Sequence, residues 1–327
     1  MKILVFEYST VLLDNILMSE GVNMLKSILS DLNDVEDYLV DYIVSDNLSF
    51  DEFPNCNVIH VDDLFSWLDV NCEYYDCCLF IAPEDDLIQY KITLILEKHE
   101  IPIIGSNSSA SYTCTSKSRT YDEIPDNILK VPSKIINVNN IDYENINSIL
   151  KKKKLIIKPD NRTSSDLIYK FNDIHQLRKI IKKYEKEDVL KALIQEYIPG
   201  NSISVSTICN NDHIDIISIN SQEIKENTTQ IEYTGCKTPI QHPLKKEIIE
   251  QTKKILTNIP GLRGFVGVDY IIHDKSIYFI EINSRITTPY IVLHELTDEN
   301  LTKTLIENLL NNESRKIKIK STGYFYK

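Results

Sequence analysis

The sequence predicts an α/β unit with a parallel sheet, followed by α+β units. Three observations carry this. Strand-like and helix-like segments alternate over residues 1–113. The run 77–82 is almost continuously apolar, as in a strand covered on both faces. Much further along, two β-rich runs, 265–272 and 277–283, flank a polar turn at 273–276 and read as a hairpin.

Taken in order, residues 2–6 form a first strand that meets Glu7 at its tip, so the apolar start is not read as a secretory signal. Apolar residues at helical spacing (Ile16, Leu17, Val22, Leu25, Ile28, Leu29) predict a helix over 14–32, weakened by Gly21. Segments 40–44 and 57–59 are short strands, 87–99 is a helix, and 101–105 is a strand that closes the unit. Residues 155–158 and 167–171 pair as strands, and 174–186 is a charged amphipathic helix. Strands at 193–198 and 202–209 enclose the Pro199-Gly200 turn, and helices follow over 242–256 and 299–311. The chain thus divides into 1–113, 114–198 and 199–327.

A net charge of −12 on 327 residues disfavours nucleic acid and acidic membranes as partners, because phosphate surfaces require basic protein. The basic run 151–154 reads as a solvated edge before a strand. No apolar run approaches the roughly 18 residues of a membrane span. Seven cysteines at irregular spacing, with no C-x-x-C pair, signal neither zinc nor a disulfide framework and fit a reducing cytoplasm.

The hairpin holds the chemistry. Its first run carries Asp269 alone, and its second ends in Glu281-Ile-Asn283-Ser-Arg285. Alternation puts Glu281, Asn283 and Arg285 on one face. Two carboxylates and an amide oxygen are hard ligands suited to Mg²⁺, and the arginine suits phosphate. A five-residue loop, 273–277, places Asp269 opposite Glu281, whereas an even-numbered loop places them on opposite faces. The alternative is an ordinary hairpin with a polar face.

These residues resemble the metal site of the ATP-grasp ligases, in a fold with an N-terminal parallel α/β domain ahead of the two ATP-grasp subdomains. The resemblance implies that Asp269, Glu281 and Asn283 hold two ions, Mg²⁺ or Mn²⁺, against ATP, and that Arg285 meets the transferred phosphoryl group. It also implies phosphate contacts from Lys158, at a strand end before Pro159, and from Lys117. Without it, Lys158 is a strand-end lysine reaching solvent. Gln195, Glu196 and Ile198 resemble the family's adenine hinge, through the Glu196 carbonyl, the Ile198 N–H and the Gln195 side chain. The implied reaction is ATP-dependent amide formation between a small carboxylate and an amine through an acyl phosphate. Residues 5–9 and 283–290 look most like archaeal tyramine–glutamate ligases of methanofuran synthesis, which implies glutamate and tyramine as acid and amine. Glu7 is then a candidate for a substrate ammonium, against an exposed loop acid. Thr287 and Thr288 are candidates for a substrate carboxylate, or cap the segment that follows.

Two departures stand out. Ser202 occupies a position where the family has a ribose-binding acid. The loop 160–166 after Lys158 has no glycine, where the family brings backbone N–H groups close to phosphate. Arg162 is a candidate to supply charge there. A chain that binds nucleotide as a regulatory or scaffold module, without catalysis, is the second reading.

Overall fold

The structure is a computed structural model that describes all residues except 15–17, 151–152, 163–166 and 316. Ile16, Leu17, half of the basic run and residues 163–166 of the glycine-free loop therefore lie outside the described residues.

Three sheets organise the chain. The first is parallel, in the order β3-β2-β1-β4, from β1 (Lys2–Glu7), β2 (Leu39–Val44), β3 (Cys56–His60) and β4 (Cys77–Ile81). The second is antiparallel, in the order β5-β8-β6-β7, from β5 (Ser133–Asn137), β6 (Leu155–Pro159), β7 (Tyr169–Phe171) and β8 (Lys191–Glu196). The third comprises β9 (Asn201–Cys209), β10 (Ile214–Glu226), β11 (Ile231–Thr238), β12 (Gly264–His273), β13 (Ser276–Asn283) and β14 (Gly323–Tyr326). Its order is β13-β12-β9-β10-β11-β14, antiparallel throughout.

Each sheet buries apolar faces against helices. Ile3 and Val5 pack with Leu25, Ile28 and Leu29 of the helix Met18–Asn33. Tyr290, Leu293 and Leu305, from far along the chain, complete that cluster. The opposite face holds Leu4 and Phe6 with Leu68, Ile92 and Leu96. The second sheet is covered by the helix Ile174–Lys186, whose Leu177, Ile180, Ile181 and Tyr184 share one side. Asp173 caps that helix by accepting from the Gln176 N–H at 2.8 Å. The third sheet packs on the helix Lys245–Thr257 and on Tyr121, Ile124 and Ile128, so the stretch after Asn107 runs along the third sheet before entering the second.

Some expectations fail for identifiable reasons. The strand expected over 101–105 is only a parallel bridge from Ile103 to Cys78. Pro102 has no N–H to donate, although its carbonyl accepts from Cys78 at 2.9 Å. β10 was not foreseen because its isoleucines, at 214, 216, 217 and 219, lose the period of two. A register shift between Ile216 and Ser218 explains the irregular spacing.

Gly21, read as a weakness in its helix, is required by packing. A Cβ there would lie 2.3 Å from both the Glu7 carboxylate and the Ser9 hydroxyl. Gly→Ala inside a helix ordinarily stabilises by about 0.5–1 kcal/mol. Here the sign reverses. Gly21→Ala is expected to destabilise by roughly 1–3 kcal/mol in urea unfolding, through overpacking. A gain in stability would refute the close approach.

Candidate functional site

The site begins with the β12–β13 hairpin, whose turn is the even-numbered alternative. His273 pairs with Ser276, leaving the two-residue turn Asp274-Lys275, and the ladder continues to Tyr270 opposite Phe279. Such an even loop would carry Asp269 and Glu281 to opposite faces. A bulge corrects this: Ile280 is the extra residue, and beyond it Asp269 pairs with Glu281 and Gly267 with Asn283. The core records the same shift, since Ile277, Phe279 and Ile282 are buried in one cluster, at spacings of two and then three. The bulge thus lets the strand keep its hydrophobic anchors while bringing Glu281 and Asn283 beside Asp269. Asn283 Nδ2 donates to Asp269 Oδ2 at 3.3 Å.

Two lysines face this acidic pair. Lys158, at the end of β6, is 5% exposed. Burial lowers its pKa to about 8, although Glu281 and Asp269 pull it back up. Lys117 begins the helix Lys117–Glu123, and its Nζ lies 3.4 Å from Glu281 Oε2 and donates to the Arg162 carbonyl at 2.6 Å. Burial works to raise the pKa of Glu281, but Lys117 and Lys158 outweigh it and hold the carboxyl below its ordinary value. Asp269 goes the other way: burial, and then the charge of Glu281, raises it.

Asp160 was missed in the sequence, and it braces Lys117. Its carboxylate accepts from Ser116 Oγ at 2.7 Å, the Ser118 N–H at 2.8 Å and Ser118 Oγ at 3.0 Å. Its carbonyl accepts from the Lys117 N–H at 3.0 Å. The segment after β6 is therefore tied to the start of the lysine's helix by side-chain chemistry. Arg162 turns from the acidic pair to a separate turn, 3.3 Å from Asp86 Oδ2 and 3.8 Å from Asp85 Oδ2.

The donor set fits a divalent cation. Asp269 and Glu281 are like charges on paired residues, one of them with a raised pKa, and the third donor is an amide oxygen. Among the described residues, no group of three His, Cys, Asp or Glu gathers for a metal, so Asn283 would have to complete the set.

A cavity of about 280 Å³ links these groups to both neighbouring sheets. Lys158, Gln195, Asp269, Glu281 and Asn283 line it, between the apolar side chains of Ile156 on β6 and Ile271 and Ile280 on the hairpin. Gln195 is 4% exposed, and its Nε2 is paired to Tyr121 Oη at 3.0 Å. Glu196 and Ile198 do not line the cavity. The Glu196 side chain pairs with Lys153, and its N–H donates to the Pro132 carbonyl. Ser202 does line it.

At the other end stand Glu7, Arg285, Thr287 and Thr288. Glu7 is not an exposed loop acid: it is 2% exposed, accepting from Ser9 Oγ at 2.6 Å and the Thr10 N–H at 2.9 Å. Thr287 packs against Gly267, where a Cβ would come within 2.9 Å of it. Thr288 donates to Glu20 Oε2 at 2.6 Å, and Glu20 also pairs with Lys327 at 2.9 Å. Arg285 Nε donates to Glu84 Oε2 at 2.9 Å, a partner 201 residues away in the chain and not legible in local sequence.

Comparison with known proteins identifies this arrangement. The ATP-grasp domain family matches residues 114–289. The chain belongs to the ATP-grasp family. It is 32% identical to the tyramine–L-glutamate ligase of Methanocaldococcus fervens, over 98% of each chain. It is 31% identical to that of Methanocaldococcus jannaschii, over 98% of this chain and 93% of the relative. Among solved structures, a D-alanine–D-alanine ligase from Bacillus anthracis superposes with a TM-score of 0.71 at 17% identity, over 95% of this chain and 98% of the other, a likeness of fold. The ATP-grasp match spans every singled-out residue from Lys117 to Thr288 and leaves out Glu7, which reaches the cavity from the parallel sheet.

Glu7 gives this ATP-grasp chain a measurable pH signature. Burial raises its carboxyl from 4.5 to about 7, against the pull of its hydrogen bonds and Arg285. The folded chain then holds a proton that the unfolded chain releases, so stability falls as pH rises from about 4.5 to 7 and stays lower above. A shift of that size is worth on the order of 3 kcal/mol. Glu7→Gln keeps an acceptor for Thr10 without the charge. It is expected to unfold at higher urea than the parent at pH 8 and close to it at pH 5; parallel profiles would show that Glu7 is not the group responsible.

Proposed function

We propose that this ATP-grasp protein is an ATP-dependent ligase that joins the side-chain carboxylate of glutamate to the amine of tyramine, releasing ADP and phosphate. The observation that carries the reading is the meeting of Asp269, Glu281, Asn283 and Lys158 on one cavity that also reaches Glu7 and Arg285. The near full-length likeness to tyramine–L-glutamate ligases supports the choice of substrates. It also favours catalysis over the scaffold reading.

In this reading, ATP lies between the second and third sheets. Adenine is seated beside Gln195, against Ile156 and Ile280, with Glu196 and Ile198 outside the cavity lining. Lys158 and Lys117 pair with phosphate oxygens as buried point charges. Asp269, Glu281 and Asn283 would hold Mg²⁺ or Mn²⁺, which would supply positive charge against the triphosphate. The glutamate carboxylate attacks the γ-phosphorus, forming an acyl phosphate and freeing ADP. The tyramine nitrogen then attacks the acyl carbon, phosphate leaves, and the nitrogen gives up its proton. Arg285 stabilises the phosphoryl group and then the tetrahedral oxyanion. Glu7 accepts the glutamate ammonium, and Thr287 and Thr288 contact its α-carboxylate. The parallel sheet supplies the substrate wall, the second sheet the cover over ATP, and the third sheet, with the stretch 108–128 packed on it, the metal-binding floor. The reaction belongs in the cytoplasm, in keeping with seven free cysteines and, among the described residues, no helix long and apolar enough to cross a membrane.

Purified protein with ATP, Mg²⁺, glutamate and tyramine is expected to release ADP and phosphate only when both substrates are present. AMP and pyrophosphate as products would refute the acyl-phosphate route. A chelator is expected to stop turnover, and added Mg²⁺ or Mn²⁺ to restore it. Glu281→Ala is expected to lower kcat at least ~100-fold while the fold persists by circular dichroism. A near-normal rate would remove Glu281 from the metal site.

A further inference from the structure

We propose that Glu84 is the positioning residue that fixes the Arg285 guanidinium for phosphoryl transfer and amide formation; this rests on the ligase reading above. Arg285 follows β13, the edge strand of its sheet, so no neighbouring strand restrains it. A long guanidinium side chain left free would sample many rotamers, each a misplacement of the charge. Glu84 stands three residues past β4 and is 3% exposed. Its Oε2 accepts from Arg285 Nε at 2.9 Å, while Arg285 Nη1 donates to the Ile286 carbonyl at 3.2 Å. These bonds fix the guanidinium plane, and none among the described residues engages Nη2. The adjacent residue is gripped as well. Gln89 Nε2 donates to the Ser284 carbonyl at 2.9 Å, and Ser284 Oγ donates back to Gln89 Oε1 at 3.0 Å.

The surroundings of Glu84 point to function rather than stability. The turn carrying it holds two consecutive non-glycine residues in the left-handed region, Asp86 at φ 51° and Leu87 at φ 63°. Its second oxygen, Oε1, is buried with no hydrogen-bond partner among the described residues. Glu84 borders a cavity of about 10 Å³ shared with Lys117, Glu281 and Asn283, directly behind the acidic pair. A buried carboxylate with one unsatisfied oxygen is a poor contributor to folding. Its placement is explained by the arginine it orients.

The test uses Glu84→Gln, which keeps shape and an acceptor without charge, and Glu84→Ala. Both are expected to lower kcat by about 10–100-fold, as is usual when the group orienting an active residue is removed, with KM for ATP and glutamate within about threefold of the parent. Guanidinium added to Arg285→Ala is expected to restore part of its activity, and Glu84→Gln in that background is expected to abolish the rescue. Unchanged kcat in Glu84→Gln, or rescue indifferent to Glu84, would overturn the proposal. Should Glu84→Ala not fold, Glu84→Gln decides. Nitrogen-15 NMR gives a readout free of turnover: a protected Nε–H signal, assigned by its loss in Arg285→Ala, is expected in the parent and absent from Glu84→Gln. If the parent releases no ADP with glutamate and tyramine, the ligase reading fails by itself. Persistence of the Nε–H signal in Glu84→Gln would then still overturn the role of Glu84.

Discussion

The arrangement depends on holding two like charges side by side. Asp269 and Glu281 occupy paired positions on neighbouring strands, where repulsion works against them. Two features make the pairing tenable. The bulge at Ile280 turns Glu281 toward Asp269 while Phe279 and Ile282 stay anchored in the core, so the hydrophobic packing of the hairpin enforces the electrostatics. Lys117 and Lys158 then divide the burden unequally. Both lower Glu281, whereas Asp269 stays raised, so the pair is asymmetric before any cation arrives. The charge pattern is thereby fixed by packing, the kind of preorganisation that favours a ligand of matching charge.

Much of this was legible in the chain because the residues concerned are close in sequence and obey strand alternation. Asp269, Glu281, Asn283 and Arg285 fall within one hairpin, and their types alone suggest metal and phosphate. The bulge was not legible as such, although its trace was present. Apolar residues at 277, 279 and 282 break the period of two at the point where the face must switch. The turn length stays open in the sequence because a polar stretch of four residues does not reveal which two form the loop. β10 was overlooked for the same reason as the bulge: a doubled isoleucine at 216 and 217 masks the strand period.

What the sequence hid were partners at long range. Asp160 reads as a loop acid after a strand, yet it receives three hydrogen bonds from Ser116 and Ser118, more than forty residues earlier. This bears on the absence of glycine after Lys158. A glycine-rich loop gains close approach from a bare backbone. Here the segment is anchored through a buried carboxylate, and the cation it braces, Lys117, comes from a different element. The anchor is thus a side chain that ties the segment to the helix carrying Lys117. Gly21 makes the converse point. Its cost to the helix is a local matter, whereas its reason, the approach of Glu7, arises only when the first strand and that helix pack together.

The parallel sheet contributes more than a wall. β1 and β4 are adjacent and parallel, so their C-terminal ends open side by side, where ligands of open α/β sheets bind. Glu7 ends β1 and Glu84 follows β4, and both carboxylates are nearly fully buried toward the hairpin. They meet Arg285 differently. Glu84 bonds its Nε directly, whereas Glu7 only feels its charge, and burial outweighs that pull and raises the Glu7 carboxyl to about 7. One acid is committed to the arginine, and the other accepts from Ser9 and Thr10. An ammonium entering beside Glu7 would supply the missing charge, lower its pKa and draw the proton off. Substrate arrival and ionisation of Glu7 would then be coupled, and the energy stored in burying a carboxyl would return as affinity for the amine group that neutralises it.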